Sequence, residues 1–295
     1  MNNSEIRIGL IGSQSMHAWA FAKVCNEPDQ NGNYRFSNGR VVAVYGVDDT
    51  PEHIQTTMEK GQIPCMVSSL EELLELCNAF MILQRRGGEH VAIAEQIIKK
   101  GYPVFIDKPV CCTWEDVQKL KWLSSTYDAV LCGGSGFKYS KQIVKLKNQI
   151  REDAFGQIRS ASITYSADID SPYDGIFFYL PHAVEMMLEL FGYDPKCVKT
   201  VVHSHDKFTV CVKYDGYMVN LVMSNCAPAC VIVNGRKSMV TQIDSSDIFR
   251  ETMGQFVHAI EQKVITRDVE KLVKHVAVIL AVKESLEDDS EVEIS

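Results

Sequence analysis

Arg7-Ile-Gly-Leu-Ile-Gly12, running on through Ser13-Gln14-Ser15-Met16-His17 into Ala18-Trp-Ala-Phe-Ala22, decides the fold. Ile6 to Ile11 is a buried-strand run, and Ser15 to about Asn26 carries a helical pattern. The join is a glycine. A strand that turns at glycine into a helix can bring its backbone against a pyrophosphate at the helix N-terminus; the full pattern for this is G-x-G-x-x-G. Only Gly12 of that pattern is present. Gln14 and His17 hold the other two glycine positions, and a side chain at Gln14 hinders the closest phosphate approach. Ser13 and Ser15 bring hydroxyl donors in compensation. Two readings stand at this point: a dinucleotide loop, or a strand–helix turn without a ligand.

The same rhythm continues downstream. Val41 to Tyr45 is β-branched, Asp49-Thr50-Pro51 opens a helix, and Ser69-Leu-Glu-Glu opens another. Phe80–Leu83, Pro103–Ile106 and Ala129–Leu131 are short apolar runs separated by helical patterns near 89–100 and 113–125. Such alternation predicts an α/β Rossmann domain, a doubly wound parallel sheet, over residues 1–132. Beyond Gly133-Gly134 the pattern changes. Helices near 139–150 and after Pro181 precede five short strands between Val198 and Gln242, turned at Tyr214-Asp-Gly-Tyr217 and Asn234-Gly-Arg236. They read as an antiparallel meander, and two helices close the chain. Residues 133–295 are therefore expected to form an α+β domain on a mainly antiparallel open sheet, for substrate binding or oligomerisation.

Composition narrows the classes. The chain has 295 residues, 46 % of them apolar and 23 % charged, with a formal charge of −8. An acidic, pattern-rich chain of this kind is globular and lacks the basic stripe of a nucleic-acid binder. No apolar run approaches the roughly 18 residues of a membrane span. Met1-Asn-Asn-Ser-Glu5 lacks a secretion-signal pattern, so a cytoplasmic protein is expected. The ten cysteines are mostly scattered singly beside apolar neighbours. They read as reduced packing thiols, without a zinc or disulfide framework.

Four further features can carry chemistry. Asp48 follows the second strand and can accept hydrogen bonds from a ribose; with Asp49 it can equally be a helix cap. Asp107-Lys108-Pro109 ends the Pro103–Ile106 strand at the edge where open α/β sheets bind ligands. There Lys108 can polarise a substrate oxygen, or be a surface lysine in a turn. His182 begins an amphipathic helix with Glu185 one turn on, and is either a base for a substrate hydroxyl or a packed histidine. Arg85-Arg86 can meet a phosphate or a sugar acid. His90 is a lesser candidate, as is the pair His203-x-His205, read on one strand face with no third ligand for a metal.

Taken together, the chain resembles the glucose-fructose oxidoreductase / inositol dehydrogenase / MocA (Gfo/Idh/MocA) family of nicotinamide-dependent dehydrogenases. The resemblance rests on Arg7–Gly12, Val41–Val44 with Asp48, His90-x-x-x-Ala94 ahead of Gly101–Pro109, Phe155-Gly-Gln-Ile158 and the His182 helix. It implies that Lys108, in the Asp107-Lys108-Pro109 that stands for the family's Glu-Lys-Pro motif, lies near the nicotinamide, and that His182 is the catalytic histidine. It further implies a hydride transfer between NAD or NADP and a sugar- or cyclitol-like alcohol or carbonyl, in a homodimer or homotetramer. Gly12, Ser13, Gln14, Ser15, His17 and Asp48, with Lys108, would contact the cofactor, and an acid at Asp48 favours NAD over NADP. The chain departs from the family in two places. Phe178 stands where the family has an aspartate four residues before the histidine, which moves any such carboxylate role to Glu185 or Asp174. The acid that usually follows the second strand aligns with Gly46. These departures motivate an alternative, a non-catalytic ligand-binding protein on the same fold. A third reading is elimination or hydrolysis on a retained NAD.

Overall fold

The computed structural model describes residues 5–294. Residues 1–4, most of the stretch read for a secretion signal, lie outside them. The chain divides into two compact units. One gathers the residues up to Val110 with Gln118–Gly133 and Phe249–Val269; the other gathers Cys111–Val117, Gly134–Ile248 and the residues from Glu270 onward.

The first unit is built on six strands: β1 (Ile6–Ile11), β2 (Gly39–Tyr45), β3 (Cys65–Val67), β4 (Ala79–Ile82), β5 (Val104–Ile106) and β6 (Leu131–Gly133). All their pairings are parallel, in the order β3-β2-β1-β4-β5-β6. The helices between them are α1 (Met16–Asn26), α2 (Pro51–Gly61), α3 (Leu70–Leu76), α4 (His90–Ile98) and α5 (Trp114–Thr126). Local chemistry sets their starts. Ser15, Thr50 and Ser69 accept from backbone N–H groups in the first turns of α1, α2 and α3, and Pro51 supplies a preset φ. Ile6, Ile8 and Leu10 of β1 pack with Phe21 and Cys25 of α1. Gly9 turns the other way, toward Leu73 and Cys77. Both sheet faces are thus covered, as the near-continuous apolar strands require. Met253, Phe256 and Val257, from far along the chain, complete the α1 side of this core.

The second unit holds β7 (Ser160–Tyr165), β8 (Cys197–Ser204), β9 (Lys207–Tyr214), β10 (Tyr217–Ser224), β11 (Cys230–Asn234), β12 (Ser238–Gln242) and β13 (Glu291–Glu293). Its helices are α6 (Lys141–Arg151), α7 (Leu180–Phe191) and α9 (Glu270–Asp288); α8 (Ile248–Glu261) lies almost wholly in the first unit. The sheet order is β12-β11-β7-β10-β9-β8-β13. A simple meander is therefore corrected. β8, β9 and β10 do form successive antiparallel hairpins, but β7 inserts between β10 and β11 and pairs parallel with β10. One face of this sheet is buried through Ile163, Val210, Val212, Val219, Leu221 and Val231, while the intervening residues face outward. His205 is likewise corrected: β8 stops at Ser204, so His203 and His205 do not share a strand.

All ten cysteines are free thiols. Cys25, Cys77, Cys111 and Cys197 are buried as packing thiols, but Cys226 is exposed, because it sits in a turn at φ +57°. Among the described residues no helix is long and apolar enough to cross a membrane.

Candidate active site

In the first unit the strand order reverses direction between β1 and β4, the place where open α/β sheets leave a crevice beyond their carboxyl ends. A pocket of about 130 Å³ lies at these strand ends, lined by Gly12, Gln14, Asp48, Asp49, Gln84, Arg85 and Glu89 among others. Gly12 has φ +91°, and a Cβ there would come within 2.9 Å of both Cγ and the backbone nitrogen of Gln84. Only glycine suits that position. The next residue is clamped. Asp49 Oδ2 accepts from the Ser13 N–H at 2.8 Å and from the Ser13 hydroxyl, while Thr57 Oγ1 donates to the Ser13 carbonyl at 3.1 Å. Asp49 is therefore committed to the loop, and Thr50 caps α2. Asp48 is exposed at φ +50° on the pocket wall. Arg85 donates to the Gln14 carbonyl at 3.1 Å.

His17, in the first turn of α1, reaches the Asp-Lys-Pro segment: its Nδ1 lies 2.6 Å from Asp107 Oδ2. Its ring meets Phe249 and Phe21 edge-on. Burial pushes the Asp107 carboxyl up, but His17 and Lys108 beside it outweigh that and hold it below its ordinary value. Lys108 is buried. That burial pulls its ammonium below the usual lysine range, with Asp107 opposing and Arg85 adding to the effect. His90 is fully buried, with its ring nitrogens 2.9 Å from the Pro109 carbonyl and 3.0 Å from the Gln84 carbonyl. It braces the turn after Lys108 and is not at the surface. A buried lysine beside a carboxylate at a strand end can hold an oxygen that gains negative charge.

In the second unit His182 sits in the first turn of α7, a helix buried on nearly every side. Its Nδ1 is 2.7 Å from Ser135 Oγ, and its ring lies between Phe137 and Tyr165. Glu185 accepts from the Ser135 N–H at 2.7 Å and from Lys138 Nζ at 2.8 Å. His275, fully buried on α9, places Nδ1 3.8 Å from Glu185. Burial alone would lower Lys138; Glu185 reverses this and raises it above the ordinary lysine range. Phe178 packs its ring on Tyr173 and Tyr179. Asp174, the other residue to which the carboxylate role could move, hydrogen-bonds Cys112.

Sequence reading singled out Lys108, His182, His17 and the Gly12 loop. It missed the partners Ser135, Lys138 and His275, gave Asp107 no separate role, and took Asp49 for a cap. One signal was available for Ser135: a Gly-Gly-Ser turn directly after an apolar strand. Among the described residues no group of three or more His, Cys, Asp or Glu is placed to hold a metal.

Residues 6–134 match the oxidoreductase family with an NAD-binding Rossmann fold, Gfo/Idh/MocA. The whole chain also superposes on solved dehydrogenases. A scyllo-inositol dehydrogenase from Lactobacillus casei matches with TM-score 0.84 at 13 % identity, covering 100 % of this chain and 99 % of that one. A myo-inositol 2-dehydrogenase from Lactobacillus plantarum gives 0.80 at 13 %, covering 99 % and 100 %. The WlbA dehydrogenase from Chromobacterium violaceum gives 0.76 at 16 %, covering 100 % and 97 %. At these identities the likeness is one of fold. No curated protein sequence matches the chain. Over residues 6–134, with their glycine-turned first strand and parallel six-stranded sheet, the chain is similar to the Gfo/Idh/MocA oxidoreductase family.

Proposed function

We propose that this protein transfers a hydride between a nicotinamide dinucleotide and a sugar- or cyclitol-like alcohol or carbonyl. The observation that carries this reading is the His17–Asp107 hydrogen bond, which ties the first turn of α1 to the strand-end segment bearing the buried Lys108. It joins a nucleotide-type loop to a group suited to a developing alkoxide. The residues present suit a dinucleotide. The space beside Gly12 closes if a Cβ is added, and the adjoining pocket presents Asp48 for a ribose. Gly12, Ser13, Gln14, Ser15, His17 and Asp48 would hold the nucleotide, with Lys108 near the nicotinamide. Asp48 favours NAD, because a 2′-phosphate would meet its charge. The dehydrogenases named above agree in kind: the L. casei enzyme is known with NAD(H) and scyllo-inositol bound, and WlbA with NADH and a nucleotide sugar acid.

A bound nicotinamide supplies the hydride acceptor or donor. The chain supplies position and charge. Lys108 donates a hydrogen bond to the reacting oxygen and steadies its charge as the C–H bond breaks. His182 takes the hydroxyl proton at Nε2 in oxidation and returns it in reduction. A cytoplasmic homodimer or homotetramer accords with this reading. The second unit's sheet leaves Val201, Met218, Val222 and Val240 exposed on its outer side, apolar surface of the kind copies cover.

Calorimetric titration with NADH and NADPH tests the reading first. Micromolar binding of either supports it. Lys108→Met should then lower turnover about 100- to 1,000-fold with cofactor affinity kept, and an unchanged kcat removes Lys108 from the mechanism. The aromatic packing of Phe178 in place of a carboxylate favours a second reading, a ligand-binding protein without turnover. Folded, nucleotide-free protein that binds neither nicotinamide would select it.

A further inference from the structure

We propose that Ser135 is the positioning residue of His182, and that Glu185 acts on the histidine only through Ser135. As a statement about catalysis this rests on the dehydrogenase reading above.

A histidine that moves a proton needs one ring nitrogen committed, so that the other presents a fixed edge. Carboxylates usually do this, and position 178 offers only a phenyl ring. The Ser135 hydroxyl stands in that role. It lies 2.7 Å from His182 Nδ1 and is itself completely buried. With Nδ1 committed to the hydroxyl, Nε2 is the nitrogen through which the ring trades a proton. Phe137 and Tyr165, with centroids 5.2 and 4.9 Å from that of the imidazole, limit its rotation.

The serine is in turn held. Its N–H donates to Glu185 Oε1 at 2.7 Å, and its Oγ accepts from the Phe137 N–H at 3.3 Å. Lys138 neutralises the other Glu185 oxygen at 2.8 Å. Gly134 allows the approach: it has φ +86°, and a Cβ there would fall 2.4 and 2.6 Å from the Glu185 oxygens. Glu185 is thus engaged by the Ser135 amide and Lys138, with His275 Nδ1 3.8 Å away. A hydroxyl differs from a carboxylate in carrying no charge. When Nε2 trades the proton, Nδ1 stays protonated in both halves of the cycle, and the Ser135 hydroxyl accepts from it throughout, orienting the ring without adding a charge.

The test needs neither cofactor nor substrate. Long-range 1H–15N correlation on the full chain, labelled at its eight histidines, reads the protonation state of each ring nitrogen. The His182 signals are identified by their loss in His182→Gln. In the parent protein His182 should show one defined tautomer with a hydrogen-bonded Nδ1. Ser135→Ala should change that pattern while the other seven histidines stay in place, and Ser135→Thr, which keeps the hydroxyl, should restore it. An unchanged His182 pattern in Ser135→Ala overturns the proposal. If that variant does not fold, Ser135→Cys serves instead: it keeps a side chain there with only a weak donor and acceptor, and unchanged His182 signals again overturn it. Nicotinamide binding is scored separately by calorimetry. Loss of the dehydrogenase reading would therefore show as no NADH heat in the parent protein, whatever the histidine signals do.

Discussion

His17 Nδ1 and Asp107 Oδ2 stand 2.6 Å apart across 90 positions of sequence, one on the first turn of α1 and the other beside Lys108. The carboxylate is almost wholly buried, so the histidine is much of what makes its charge tolerable. His17→Phe keeps an aromatic ring against Phe21 and Phe249 but strips the carboxylate of that partner. We expect a loss of about 3 kcal/mol in urea unfolding, the usual scale for half of a buried pair. Asp107→Asn in the same background should return part of it. Equal stability of His17→Phe and the parent would show the pair to be idle.

The same carboxyl titrates below its ordinary value in the folded protein. Its contribution to stability is full above the unfolded carboxylate pKa of about 3.9 and drains away as pH falls through the lower folded value. Acid unfolding of Asp107→Asn should accordingly be shallower below about pH 4. Matching acid limbs would count against the assignment.

Gly12→Ala forces a side chain into a left-handed backbone and against Gln84. NADH affinity should weaken at least about tenfold, or roughly 1.4 kcal/mol, with a lower melting temperature. Asp48→Ser, by contrast, should leave stability alone and move the NADH-to-NADPH affinity ratio toward NADPH. Calorimetry on the two variants separates loop shape from ribose recognition.

These residues also mark where sequence reading succeeds and where it stops. Gly12, Ser15, Thr50-Pro51 and Ser69 are legible because a cap or a glycine turn is a contract between neighbours in sequence. Lys108 and His182 are legible as residue types at a strand end and a helix start. Strand β3 is only Cys65–Val67, too short to show a period, and β13, Glu291–Glu293, lies inside an acidic tail. The β7–β10 pairing joins Ser160 to Met218, and no local pattern announces a partner so far along the chain. Ser135, Lys138 and His275 are polar residues made useful by burial, which spacing does not reveal.

His275 yields a second pH test. Burial holds its imidazole below the usual range, with Glu185 pulling it up and Lys138 pushing it down. A histidine kept neutral in the fold stabilises above its unfolded pKa of about 6.5, and that stability is lost as pH falls through the lower folded value. The melting temperature should drop between about pH 6.5 and 5, and less so in His275→Leu. The same slope in both proteins would rule His275 out as the source.

Thiol reactivity should be just as uneven. Burial pushes Cys25 and Cys77 up to about 12, whereas Cys226 is exposed in its turn. Under native conditions a disulfide reagent should label Cys226 first, and Cys25 and Cys77 only on unfolding. Rapid labelling of all ten cysteines in folded protein would contradict this packing.

The helix Ile248–Glu261 gives Met253, Phe256 and Val257 to the core around β1, and Phe256 meets the Phe105 ring at 5.9 Å. The first sheet's own sequence ends at Gly133, yet its interior is not closed until residues more than a hundred positions later arrive. During synthesis the first unit must therefore wait, with an apolar flank uncovered, while β7 to β12 of the second sheet are made. A chaperone that shields β1 and α1 in that interval, or a ribosome that pauses within it, would act on a vulnerability written into the order of the chain.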